Sequence, residues 1–456
     1  MKSNIPGNIK TLQLSNITTF QHYNNIDKNS TFAFGHLSFQ MVKFNRFTLN
    51  NGLRVIVHED HTTPMAVLNI LYDVGARDED PDQTGFAHLF EHLMFGGSIN
   101  IPDYDQPLQR VGGENNAFTS NDITNYYITL PSANIETAFW LESDRMLNLA
   151  FSKKSLEVQR NVVIEEFKQR YLNQPYGDVW LRLRPLVYKN HPYQWATIGK
   201  ELKHIEDAKM EDVKAFFKKH YNPQNAIMVV GGDVTTEEVK ALAEKWFSPI
   251  SAGEKYQRNL IQEPEQHDER RETVVAKVPL NDVYVAFQMG ARLDEQYYVC
   301  ELMSDILSRG SSSRLHRHLV KEKQLFSEIH AYMTGSLDKG MFVIEGKPTE
   351  GVSIESAEAA IWEELEELKT VEVPLAELTK VKNKTESTMI FSEMSLLDKA
   401  MNLASFELLG DADLLNHETE KYLAVTAAQV TEQANKIFRK NNSSTLIYLA
   451  EKANLS

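Results

Sequence analysis

The chain has 456 residues, 42% hydrophobic and 24% charged, which is enough apolar mass for two cores of ordinary size. A formal net charge of −15 argues against nucleic acid or anionic membranes as partners. Cys300 is the only cysteine, so no internal disulfide can form, and no apolar run is long enough to span a bilayer.

Residues 1–40 are rich in Asn, Ser and Thr and lack the basic-then-apolar pattern of a secretory signal. They read either as a poorly ordered N-terminal extension or as sequence upstream of the true start, since Met41 opens a clean pattern. The expected location is the cytoplasm. Phe47-Thr48-Leu49, Asn50-Asn51-Gly52 and Leu53-Arg54-Val55-Ile56-Val57-His58 give strand, tight turn, strand. Residues 65–74 are a third β-rich run, closed by Gly75-Ala76-Arg77.

The stretch Gly85-Phe86-Ala87-His88-Leu89-Phe90-Glu91-His92 follows. On a helix, His88 and His92 stand one turn apart on one face, so two imidazoles can reach one metal ion about 2 Å away. Glu91 lies beside them, where a carboxylate can take a proton from a water at the metal's open position. Phe86, Leu89, Phe90, Leu93, Met94 and Phe95 would bury the other faces, and Gly96-Gly97 suits a helix stop. Such a site needs a third protein ligand.

Gly112-Gly113-Glu114-Asn115-Asn116-Ala117-Phe118-Thr119 is a turn feeding a strand over 123–130. Helical periodicity covers 132–149, 156–172 and 209–220, and a strand is expected over 226–230 after Tyr221-Asn222-Pro223-Gln224. The 156–172 helix offers Glu157, Glu165 and Glu166 as the missing ligand. Two adjacent glutamates point about 100° apart, so only one can face the site. With Val162, Val163 and Phe167 as the buried stripe, the angle favours Glu166 and leaves Glu165 open.

Composition turns to Gln, Glu, Arg, Gly and Pro with little periodicity over 249–271, the expected linker. The pattern then restarts. A strand over 283–289 ends at Gly290-Ala291-Arg292, repeating the earlier tripeptide 215 residues on, and a helix follows in both copies. Residues 430–440 and the strand 445–449 repeat the 213–220 and 226–230 order. The chain therefore reads as two halves of one α+β fold arisen by duplication, 41–248 and 272–456, each a mostly antiparallel sheet flanked by helices. Met303, Ile306 and Leu307 stand where the first half has His88, Glu91 and His92, so the second copy cannot hold a metal.

The order of motifs resembles the inverted zincin metallopeptidases of the pitrilysin, insulysin and mitochondrial processing peptidase family. The matching residues are Gly85-x-Ala-His-x-x-Glu-His92, Asn116-Ala-x-Thr119, Trp140-Leu-Glu-Ser-Asp-Arg-Met146, Val162-Val-x-x-Glu166 and Tyr221-Asn-Pro-x-Asn225. The resemblance implies one zinc ion per chain, held by His88, His92 and Glu166, 74 residues after His92, with Glu91 as general base. It also implies a zinc-dependent endopeptidase that hydrolyses unfolded peptides inside a closed chamber. An extended substrate would add to the sheet edge at Asn116, Ala117 and Phe118, with Phe95 lining a side-chain pocket. Two departures stand out. Seven residues before the ligand the family usually has Glu and this chain has Gln159, with Glu157 nearby as a possible support. In the second half, Val320 and Ser327 stand where active single-chain relatives carry a substrate-holding Arg and Tyr. The expected assembly is therefore a dimer, in one form a heterodimer with a homologous subunit that supplies the Arg and Tyr.

Other features have plainer readings. Trp140 to Met146 is expected to pack a helix, His316-Arg317-His318 to be surface histidine, the acidic run 363–367 to be a solvated helix face, and Cys300 a buried thiol. The alternative functions are a scaffold subunit that does not cut and a zinc-dependent peptide-binding module with weak turnover.

Overall fold

The computed structural model describes residues 41–451, so the extension expected over 1–40 lies outside the described residues. The first half contributes strands β1 (Asn45–Thr48), β2 (Arg54–Glu59), β3 (Met65–Tyr72), β4 (Glu114–Thr119), β5 (Thr124–Pro131) and β6 (Ala226–Gly232), ordered β1-β2-β6-β3-β5-β4. The second contributes β7 (Arg270–Ala276), β8 (Asp282–Gln288), β9 (Phe326–Met333), β10 (Met341–Pro348) and β11 (Ser443–Ala450), ordered β7-β11-β8-β10-β9. Without β1, the two orders match strand for strand. Even the parallel pairs, β2 with β6 and β7 with β11, correspond, and the other pairs are antiparallel.

One side-chain detail repeats as well. Asn225 Nδ2 donates to the carbonyls of His220 and Asp73, and Asn442 Nδ2 donates to those of Ile437 and Gln288. In each half an Asn after a helix joins that helix's C-terminus to the end of a central strand, where bare carbonyls need a donor.

Helices of the first half are α1 (Phe86–Met94), α2 (Asp105–Arg110), α3 (Ile135–Asn148), α4 (Lys153–Phe167), α5 (Val179–Val187), α6 (Leu202–Glu206), α7 (Met210–His220) and α8 (Thr236–Phe247). Those of the second are α9 (Gln296–Ser308), α10 (Ile354–Thr370), α11 (Leu375–Ser392), α12 (Leu396–Leu408), α13 (Glu418–Ala424) and α14 (Ala427–Ile437). Central strands such as β6, buried at every position, need cover on both faces. One face of each sheet packs on helices of its own half, forming the two main cores. The other faces are covered reciprocally. Ala400, Leu403 and Ala404 of α12 pack on Ile56, Val67, Leu71, Ile227 and Val229 of the first sheet. Val179, Leu183 and Val187 of α5 pack on Tyr284, Ala286, Met341, Val343 and Leu446 of the second. Each half lends the other a helix.

The stretch expected as a linker has no helix or strand over residues 251–269, and β7 starts at Arg270, before the expected end of that stretch. It is pinned along its length. Arg258 bonds the carboxylates of Asp73 and Asp78, Glu263 accepts from the N–H groups of Lys189, Asn190 and His191, and Gln266 donates to the Ser443 carbonyl. Composition showed the lack of periodicity but not these anchors.

Beneath this strap, His220 is fully buried against the Phe216 and Tyr256 rings, and neither ring nitrogen has a hydrogen-bond partner. Burial, reinforced by Lys219 and Arg258, pushes its pKa down to about 3. The folded chain thus refuses a proton that the unfolded chain accepts at the ordinary value of about 6.5, so stability falls as pH drops from 6.5 toward 3. The loss from this residue is about 1.4 kcal/mol per pH unit. Thermal melts from pH 7 to 4.5 are expected to show a shallower acid loss for His220→Leu than for the wild type. Equal slopes would refute the assignment.

Candidate active site

Helix α1 is short and buried on most of its circumference by Phe86, Ala87, Leu89, Phe90, Leu93 and Met94. Phe90 stacks on Phe216 and Tyr221, with ring centroids 5.0 and 5.2 Å apart, which fixes the helix against α7. His88, Glu91 and His92 occupy the remaining arc, about 100° wide at α-helical spacing. The helix ends at Phe95, as the following glycines suggest. Gly97 has φ of +86°, and a Cβ there would lie 2.6 Å from the Pro102 carbonyl oxygen.

Helix α4 crosses in front of α1 and supplies the third group. Glu166 Oε2 lies 3.6 Å from His88 Nε2 and 3.3 Å from His92 Nε2. Glu165 points to solvent and pairs with Lys168 at 2.8 Å. The angular argument leaned toward this glutamate, although one of its markers was wrong. Val163 and Phe167 are buried, as is Leu156, but Val162 is 44% exposed. Past Phe167 the α-helix gives way to a π-helical turn, Lys168–Leu172. From this turn Arg170 reaches back to Glu166 Oε1 at 3.0 Å.

The donor set fits a tetrahedral zinc ion. Bonds of about 2.0–2.1 Å to N and O require ligand atoms about 3.3–3.4 Å apart, close to the two separations found. Nδ1 of His88 is buried without a partner, so Nε2 is the only atom by which the ring engages the site. Burial pushes the pKa of His88 down to about 4, which keeps the imidazole neutral as ligation demands. The hydrogen bond from His92, with the charge of Arg170, holds Glu166 below the usual carboxylate range.

Glu91 sits beside this triangle. Thr119 Oγ1, at the end of β4, donates to Glu91 Oε2 at 2.6 Å. Burial raises the Glu91 pKa and the Thr119 bond opposes that rise. A carboxylate held in this way can accept a proton and give it back.

β4 is the outer strand of its sheet. Asn116 is exposed, and its Oδ1 accepts from the Ala117 N–H at 2.9 Å. Ala117 is half-buried against the core, and Phe118 is 40% exposed. Phe95 is not free to line an open pocket along its whole ring. It packs against Tyr104 and Tyr126 with the Arg145 guanidinium 5.6 Å from its centroid. Arg145 in turn is buried and bonded to Glu142, so the Trp140 to Met146 stretch is helix packing.

Gln159, seven residues before Glu166, lies on the same face of α4 and is half-buried. Glu157 is exposed and falls about 180° away from Glu166, so it cannot serve as the support considered for it. Val320 packs on the second core and Ser327 Oγ donates to the Lys347 carbonyl. Met303, Ile306 and Leu307 are fully buried. His318 is not a free surface histidine: its Nδ1 lies 2.7 Å from Glu364, which is buried, so the acidic run 363–367 is not solvated throughout. Lys323 and Arg317 flank that pair and make it a cross-linked ion cluster.

The profile of the family described as Insulinase (Peptidase family M16) matches residues 54–194, and that described as Peptidase M16 inactive domain matches 207–385. The zinc protease PqqE of Helicobacter pylori is 31% identical over 418 residues, covering 90% of this chain and 94% of that protein. The chain belongs to peptidase family M16. A crystal structure of a protease from Helicobacter pylori superposes with a TM-score of 0.85 at 29% identity, covering 90% of this M16 chain and all of that one. The periplasmic protease PqqL of Escherichia coli matches with a TM-score of 0.74 at 19% identity, over 90% of this chain but 48% of its own. The inactive-domain match begins at residue 207, ahead of α7, β6 and α8, which belong to the first sheet and its core.

Sequence reasoning did not assign Thr119 or Arg170 a place in this M16 site. Thr119 ends the Asn116-Ala-x-Thr119 stretch, but its contact with Glu91 requires β4 to run alongside α1. Arg170 stands four residues after Glu166, a spacing at which a helix pairs opposite charges.

Proposed function

We propose that this M16 chain is a zinc-dependent endopeptidase acting on extended, unfolded peptides, and that it is the zinc-bearing member of a pair enclosing the substrate. The observation that carries the reading is the convergence of His88 Nε2, His92 Nε2 and Glu166 Oε2 at tetrahedral spacing, with Glu91 beside them on the Thr119 hydroxyl. Zinc, when bound by these three residues, supplies a Lewis acid that acidifies water and polarises a carbonyl. Glu91 takes the proton of the attacking water and passes it to the leaving amine. Arg170 holds the second oxygen of Glu166, leaving Oε2 directed at the metal position. The outer edge of β4 offers backbone groups to an extended peptide, and the Asn116 side chain, now on the Ala117 N–H, yields that donor to substrate.

Val320 and Ser327, where single-chain relatives carry Arg and Tyr, favour a partner that completes the substrate clamp. Together with Gln159 they also support the second reading, a peptide-binding subunit with weak turnover. The purified chain is to be assayed on a quenched fluorescent peptide library, alone and with homologous chains carrying the Arg–Tyr pair. Cleavage is expected with a partner, is lost on chelation, and returns with added zinc. Full activity of the chain alone would refute the paired reading. Zinc binding without cleavage in any mixture would favour the peptide-binding one.

A further inference from the structure

The helix that presents His88 and His92 begins without a cap of its own. Its N-cap is Gly85, with φ of +89°, and its first turn holds no acidic residue. No side chain fits there, because a Cβ on Gly85 would lie 2.7 Å from the Ile198 carbonyl oxygen and 2.8 Å from Ile205 Cδ1. The usual Ser, Asp or Asn is thus sterically excluded, and the first N–H groups of α1 need another acceptor.

Glu79 supplies it from six residues upstream. Its Oε2 accepts from the Gly85 N–H at 2.9 Å and its Oε1 from the Ala87 N–H at 2.8 Å. Glu79 is buried, and among the described residues no cation pairs with it. Burial pushes its carboxyl up to about 8, and the two amides and the Trp195 side chain act against that rise. With one helix N–H on each of its two oxygens, Glu79 is the cap that the end of α1 lacks.

The mount of Glu79 is rigid. It follows the short turn Ala76–Asp78, in which Ala76 O accepts from Trp195 Nε1 and Asp78 bonds Arg258 of the strap. Arg77 in the same turn pairs with Asp122 at 3.1 Å and, in the second half, with Asp338 at 2.7 Å.

We infer that Glu79 is a positioning residue of the metal site: its carboxylate fixes the rotation and height of α1, and so the direction in which His88 and His92 offer Nε2 to Glu166. Ala87, one of its two donors, immediately precedes His88. The inference rests on reading His88, His92 and Glu166 as metal ligands.

Glu79→Gln tests it, since the amide keeps one acceptor and turns an NH2 against the other helix N–H. Metal affinity is measured by chelator competition with zinc, and ligand geometry by the visible absorption of the cobalt-loaded chain, both well below the melting temperature. The expected result is zinc bound roughly tenfold or more weakly, the range for residues that orient ligands, with a changed cobalt spectrum. Wild-type affinity and spectrum in the variant would overturn the inference, whatever its melting temperature. Should Glu79→Gln fail to fold, Glu79→Asp decides on the same two readouts. It keeps the carboxyl group but falls short by one carbon–carbon bond, about 1.5 Å. Unchanged readouts there also overturn the inference. A wild-type chain that binds neither metal would overturn the ligand reading itself.

Discussion

Replacing Glu91 with Gln is expected to slow peptide cleavage by about 10²–10⁴-fold while leaving the zinc content unchanged. Gln has nearly the shape of Glu and can still accept the Thr119 hydroxyl bond, so the site keeps its geometry. What it loses is the ability to take a proton from water. Glu91 is not among the three groups that converge on the metal position, so metal affinity has no reason to fall. The measurement is a paired one, cleavage of a fluorescent peptide and zinc per chain by elemental analysis. Retained cleavage would show that another group is the base. Lost cleavage with lost zinc would show that Glu91 is a ligand.

Replacing His88 with Ala is expected to weaken zinc binding by roughly two to three orders of magnitude, on the view that each ligand carries a share of a binding free energy of 10–16 kcal/mol. The fold should survive. Its own second half makes the case: Met303 stands at the matching position of α9, and that helix is packed and buried without any ligand. Zinc titration against a chelator, with the melting temperature of the metal-free chain as a control, checks both parts. Wild-type zinc affinity in His88→Ala would remove His88 from the site.

Much of this site could be read from the sequence because it obeys local rules. The i, i+4 spacing of His88 and His92 needs only a helix, while the angle only favoured Glu166 over Glu165 and the family resemblance made the choice. Angles from hydrophobicity have limits, however. Val162 was grouped with the buried stripe because Val is apolar, yet it faces solvent. Glu157 was near in sequence but half a helical turn round from the ligand. The duplication was visible as a repeated Gly-Ala-Arg and a repeated element order, and the matching strand orders bear it out. β7 went unseen because Arg270, Arg271 and Glu272 open a charged edge strand rather than an apolar run. Contacts made only in three dimensions left no such trace. Thr119 on Glu91, Glu79 on α1 and His318 on Glu364 each join residues whose pairing no period encodes. The apolar faces of α5 and α12 likewise announce burial without naming the sheet they bury.

The reciprocal loan of α5 and α12 bears on why a half without ligands persists. That half carries Met303, Ile306 and Leu307 where the first has its ligands, so it offers no metal chemistry of its own. Deleting that half is a different matter. It would strip α12 from the first sheet and expose Ile56, Val67, Leu71, Ile227 and Val229 to water, on the very sheet whose edge strand holds Thr119 against Glu91. At about 1.5–3 kcal/mol for each such side chain, that loss is comparable to the whole stability margin of an ordinary domain. The exchange binds the halves in one direction: the second half carries no ligands, yet the first cannot do without the helix it lends.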